Sequence, residues 1–113
     1  SIYGITIADP NIYGNSGLNS PDAYSASKAG LIHLTRYMAV NLAKYNIRVN
    51  SISPSGVFNN QPQEFLEKYL LKIPVNRMLN REELVGPLLF LLSDASSYIT
   101  GHNLIVDGGF SCL

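Results

Sequence analysis

The sequence predicts an α/β fold, a piece of a doubly wound parallel sheet. Two observations carry that prediction. Helical segments alternate with short apolar runs of strand type, which is the pattern of a parallel sheet with right-handed crossovers. Only two complete strands can be read, and two strands make a marginal sheet alone, so residues 1–113 read as one piece of a larger single domain.

Each element has its own signal. Residues 5–20 are rich in turn formers (Asp9-Pro10-Asn11, Gly14-Asn15-Ser16-Gly17, Asn19-Ser20-Pro21) and read as a long loop. Ser20 is the expected N-cap of a first helix, with Pro21 at its first position and Asp22 complementing the dipole. That helix should run to about Lys44, with Asn46 as its stop. Leu31, Leu34, Met38 and Leu42 form one row along it, while Ala26, Ala29, Tyr37 and Val40 lie elsewhere around it. Such a helix is expected to be covered on more than one side, one side packing on a sheet and another on a second subunit. Ile47 to Ser53 reads as a strand ended by Pro54, and residues 54–61 as a loop. Pro62 opens a second helix to about Ile73, with Phe65, Leu66, Tyr69, Leu70 and Ile73 on its apolar side and Pro74 as its end. Asn80 and Glu83 pair as N-cap and third-position acid of a third helix reaching about Ser93, which Pro87 should kink. Asn103 to Val106 is a last strand, followed by Asp107-Gly108-Gly109.

Composition excludes several classes. Lys plus Arg and Asp plus Glu both total 8, so the formal charge is zero and nothing favours nucleic acid or an anionic membrane. The longest apolar run, Leu88 to Leu92, is far too short to span a bilayer, and the start does not read as a signal peptide. Cys112 is the single cysteine, so no internal disulfide forms, which fits a reducing, cytoplasmic setting. His33 and His102 are far apart and lack ligand spacing, and Asp107-Gly108-Gly109 lacks alternating acids, so no metal is expected.

The chemistry starts at Tyr24 and Lys28, which share a helix face at four residues' spacing. A free phenol, with a pKa of about 10, is a poor base at neutral pH. An ammonium about 4 Å away favours phenolate by about 4 kcal/mol at an effective dielectric of about 20, so such a pair can exchange a proton with an alcohol oxygen. One such pair arises by chance in roughly a fifth of chains this long, so context must decide. The string Tyr24-Ser25-Ala26-Ser27-Lys28-Ala29-Gly30 resembles the active-site helix of the short-chain dehydrogenase/reductase family. Ile47-Arg48-Val49-Asn50-Ser51-Ile52-Ser53-Pro54 resembles its next strand, and Gly101 to Gly109 its closing strand and turn.

That resemblance implies a Rossmann-like fold whose N-terminal cofactor half is absent here, and an oxidoreductase moving hydride between NAD or NADP and a carbonyl or hydroxyl substrate. Tyr24 would be the catalytic acid/base. Lys28 would bind the nicotinamide ribose and tune Tyr24. Ser1, in Ser1-Ile2-Tyr3-Gly4, would hold the substrate oxygen; it lies 23 residues before Tyr24, farther than in most members. Ser16 competes but sits too close to the helix and lacks the following residues, and a mere capping serine is the structural alternative for Ser1. The turn at Pro54 resembles the family's Pro-Gly turn that holds the nicotinamide carboxamide, with Ser55 in place of the usual glycine, Gly56 kept and Val57 supplying the backbone contact. Asn59 stands where a threonine often touches the cofactor, with a plain polar role equally open. Ser1 to Gly4 and the long polar loop loosely resemble branches linked to sugar and surface-polysaccharide precursors, which implies a sugar-like substrate. A homodimer or homotetramer using the 22–44 helix is also implied.

The glycine-rich pyrophosphate turn, the residue that separates NAD from NADP and the family's helical asparagine have no counterpart in these residues. By itself the chain is therefore expected to be an inactive fragment that binds NAD(P) no tighter than millimolar and aggregates. The rival readings are a non-catalytic family relative acting as a binding or assembly subunit, and an unrelated helical interaction module.

Overall fold

The computed structural model describes residues 1–15 and 19–113, so Ser16 lies outside the described residues. Two strands, β1 (Ser51–Pro54) and β2 (Asn103–Val106), pair in parallel with Ser51 opposite Asn103 and Pro54 opposite Val106. Three α-helices accompany them: α1 (Asp22–Leu42), α2 (Gln63–Leu70) and α3 (Val85–Leu92). β1 is shorter than the expected strand: residues 47–50 keep one backbone bond to the segment before β2, from the Gly101 N–H to the Val49 carbonyl (2.7 Å), and are otherwise held there by side chains. Arg48 donates to the carbonyls of Leu91 (2.9 Å), Ser93 (3.2 Å) and Ile99 (3.2 Å), and Asn50 bonds the carbonyl of Ile99 and the N–H of His102. These groups tie the strand's entrance to the end of α3. Inside the sheet, Ser53, 1% exposed, donates to Asn103 Oδ1 at 2.9 Å, which satisfies a buried hydroxyl.

The helices depart from expectation at their ends. Pro21, not Ser20, is the N-cap of α1; its ψ of 144° is extended, and among the described residues no side chain caps the helix. α1 gives way after Leu42 to a 3₁₀ turn (Ala43–Tyr45), and Asn46 stops it in the left-handed region at φ 59°. The third segment begins as 3₁₀ (Arg81–Leu84), where the Glu83 carboxylate accepts the Asn80 N–H at 2.9 Å. Pro87 then falls in the first turn of α3, where a missing donor costs nothing, so it opens a helix rather than interrupting one. The expected loop at 5–20 also contains structure. A 3₁₀ turn (Pro10–Tyr13), capped by Asp9, sinks Ile12 into the core, and the Asp9 carboxylate pairs with Lys72 beyond α2 at 2.9 Å.

The core gathers Ile2, Ile12, Tyr69, Ile73, Met78 and Phe110, with Phe65, Leu66 and Leu70 packed on it, so α2 buries its expected side. α1 buries a different row from the one most visible in its sequence: Ile32, Thr35 and Ala39 are covered, while Leu31, Leu34, Tyr37 and Val40 are exposed. His33, expected on a buried helix, is exposed, as is His102. The radius of gyration, 15.7 Å, exceeds the roughly 13 Å of a compact domain this long.

Candidate active site

The site is built where the first turn of α1, the residues before it and the C-terminal end of β1 meet. Residues Ile2–Gly4 form a short 3₁₀ turn, with Ser1 as its cap. The Ser1 Oγ accepts the Tyr3 N–H at 3.2 Å. Both serine readings are therefore compatible: the oxygen caps the turn, and the hydroxyl proton is still available for donation. Gly4 explains how this turn comes so near α1. A Cβ there would lie 2.8 Å from the Lys28 carbonyl carbon and 2.8 Å from Ile32 Cδ1, so only glycine allows the approach.

Ser1, Tyr24, Lys28, Pro54, Ser55, Gly56 and Val57 line one open cleft of about 620 Å³. Tyr24 is 40% exposed on that cleft, and the Lys28 ammonium lies over its ring, 5.3 Å from the centroid. Among the described residues Lys28 has no carboxylate partner. The turn after β1 is held on one side only. Ser55 N–H donates to the Val106 carbonyl (3.0 Å), Leu79 N–H to Gly56 (3.3 Å), and Phe58 N–H to Leu79 (2.8 Å). The Val57 carbonyl accepts the Gln61 side chain at 2.9 Å, but no acceptor among the described residues meets the Val57 N–H. Ser55 in place of glycine is harmless, because the tight position is Gly56: a Cβ there would meet Met78 Cε and the Tyr69 hydroxyl, each at 2.8 Å. Asn59 stands apart. It lies in a neighbouring polar recess with Asn60, Asn80 and Arg81, which Val57 joins to the main cleft.

The cleft also has an aromatic lining that escaped the sequence reading. Tyr3, Tyr13, Phe65 and Tyr69 line it. Tyr3 is pushed to a raised pKa, chiefly by burial and then by Tyr13 and Tyr69, with a hydrogen bond to Tyr13, so it stays neutral. Tyr69 reads in the sequence as one more apolar position of the second helix. The usable signal is chemical: a buried tyrosine needs a partner for its oxygen. Among the described residues no cluster of three or more metal-ligating side chains occurs.

A sequence profile of the family described as enoyl-(acyl carrier protein) reductase matches residues 7–111. The chain belongs to the short-chain dehydrogenase/reductase family. It is 48% identical over 97 residues to the D-arabinitol 2-dehydrogenase (ribulose-forming) of Scheffersomyces stipitis, covering 79% of this chain and 35% of that one. It is 41% identical over 110 residues to post-translational flagellin modification protein A of Campylobacter coli, covering 97% of this chain and 43% of that one. The crystal structure of a short-chain dehydrogenase from Leptospira borgpetersenii serovar Hardjo-bovis with bound NAD+ superposes with a TM-score of 0.92 at 51% identity, covering 98% of this chain and 42% of that one. The chain thus spans well under half the length of these relatives, and its sheet is part of a Rossmann domain.

Proposed function

We propose that the whole protein is an NAD(P)-dependent oxidoreductase that moves hydride between cofactor and a hydroxyl or carbonyl carbon, with Ser1, Tyr24 and Lys28 as its active-site residues. One observation carries this reading: these three side chains and the 54–57 turn line the same cleft. The residues present fit the cofactor. Among the described residues the Val57 N–H has no acceptor and the Lys28 ammonium no acidic partner, which suits a carboxamide oxygen and ribose hydroxyls respectively. Bound there, NAD(P) would supply the hydride acceptor or donor. Tyr24 passes a proton to or from the substrate oxygen, and the Ser1 hydroxyl donates to that oxygen and fixes its place. Lys28 holds the Tyr24 ring from one side while anchoring the ribose. Asn59, in the adjoining recess, is a peripheral cofactor contact.

The substrate is a small polyol or sugar-like alcohol. The name of the arabinitol dehydrogenase supports that class. The exposed apolar side of α1 supports a homodimer or homotetramer, and nothing in the charge supports a nucleic-acid partner. No helix among the described residues is long and apolar enough to cross a membrane, and we place the protein in the cytoplasm. The test is a panel of pentitols and hexitols offered to the full-length protein with NAD+ or NADP+, reading reduced nicotinamide. Turnover of one or more polyols is expected; no turnover with either cofactor on any alcohol or carbonyl would refute the reading.

A further inference from the structure

We propose that Tyr69, on α2, is a positioning residue whose hydroxyl sets the backbone of the nicotinamide-side turn. This rests on the reading above that the 54–57 turn holds NAD(P). Most of the turn is pinned by backbone partners from β2 and from the segment around Leu79. Two groups are held by side chains instead: the Val57 carbonyl by Gln61, and the Gly56 N–H, which donates to the Tyr69 hydroxyl at 2.7 Å, thirteen residues farther along. Tyr69 is 2% exposed, and its ring is held by stacking on Phe65 (centroids 5.0 Å apart, planes at 18°) and by a tilted contact with Phe110 (5.6 Å). The missing Cβ of Gly56 gives the hydroxyl its room. Burial raises the Tyr69 pKa, against the lowering effect of the Gly56 bond, so the acceptor is a neutral phenol with its proton still to give.

The consequence is geometric. Gly56 N–H and Val57 N–H are consecutive donors on one short turn. Tyr69 takes the first, and the second, on a residue that lines the cleft, has no acceptor among the described residues. Removing the hydroxyl leaves the Gly56 N–H without its acceptor, and the peptide before Gly56 is then free to rotate toward another one, carrying Val57 out of line. Tyr69 touches neither substrate nor cofactor in this role; it acts through Gly56.

The test uses Tyr69→Phe in the full-length protein, which keeps the stacked ring and deletes one oxygen. The dissociation constant for NAD+ or NADP+, whichever the wild type binds, should rise about tenfold. KM for the cofactor should rise with it, while kcat at saturating cofactor stays within about twofold. Amide exchange should quicken in the peptide containing Ser55–Val57 and not in β1. A merely structural role would lower the melting temperature and leave the cofactor constant of the folded fraction unchanged, which overturns the proposal. If Tyr69→Phe fails to fold, Phe65→Leu keeps the hydroxyl but removes the ring that aims it, and a cofactor constant within twofold of wild type then overturns the proposal. A wild-type protein that binds neither cofactor would instead refute the functional reading, so the two failures are separable.

Discussion

Two turns leave the C-terminal ends of the two neighbouring strands, one at Ser55–Val57 after β1 and one at Asp107–Gly109 after β2. Ligands of open α/β sheets bind beyond such strand ends, so both turns begin as candidates. Composition favours the Asp107–Gly109 turn, which has an acid and two glycines in a row. Its structure is closed. Gly108 and Gly109 sit at φ 62° and 88°, and the Asp107 carboxylate accepts the N–H groups of Gly109 (2.9 Å) and Ser111 (2.8 Å). The carboxylate is spent on the turn itself. The Ser55–Val57 turn carries one glycine with no unusual φ, yet leaves the Val57 N–H without an acceptor among the described residues, and Val57 lines a cleft with Tyr24 and Lys28. Glycine at positive φ marks a backbone shape; a ligand site is marked by a donor left without a partner.

The sharpest way to break this contrast is at the chemistry beside the turn after β1. In the full-length protein, Tyr24→Phe should cut kcat at least about a hundredfold while cofactor affinity holds, because it removes the proton and keeps the ring. Steady-state kinetics with a cofactor titration checks this, and near-normal turnover would remove Tyr24 from the role assigned to it.

Next in size is a matched pair of glycine substitutions. Gly56→Ala forces a methyl against Tyr69 and Met78 and should raise the cofactor dissociation constant about tenfold. Gly108→Ala meets Val75 and a left-handed φ, and should cost about 1–2 kcal/mol of stability with no change in cofactor binding by the folded protein. Equal effects of both on cofactor affinity would erase the distinction between the turns.

The smallest expected effect lies in the acid response of the turn after β2. Burial pushes the Asp107 carboxyl up, but the hydrogen bonds from Ser111 and Gly109 outweigh it and hold the group below its ordinary value of 3.8. Because the unfolded chain takes up that proton first as pH falls, the stabilisation is full above 3.8 and is lost on acidification through and below it. Asp107→Asn should cost about 1 kcal/mol at neutral pH and flatten this part of the acid-unfolding curve. An unchanged curve would mean that the carboxylate's charge does not matter to the turn.

Legibility differed with the range of the interaction. The spacing of Tyr24 and Lys28, the apolar side of α2 and the bounds of β2 were readable because each depends on residues a few positions apart. The strand at 47–53 was readable in kind but not in length, since Arg48 and Asn50 spend their donors on carbonyls more than forty residues away. The row that α1 buries was hidden for a related reason: Leu31, Leu34 and Val40 are more apolar than Thr35, but Gly4 meets α1 at Lys28 and Ile32, and Gly101 meets it at Ala39. A helix apolar on several sides does not say which side its own chain will use.

What the sequence determined by itself was the family, the α/β class and the identity of the proposed proton-handling pair, because these rest on residue types at fixed local spacings. The tertiary structure alone decided which backbone donor stays open, that Ser1 both caps a turn and shares a cleft with Lys28, and that a tyrosine from α2 holds Gly56. Each of those is a meeting of groups distant in sequence, and only the packing of the core around Tyr69 and Phe110 brings them together.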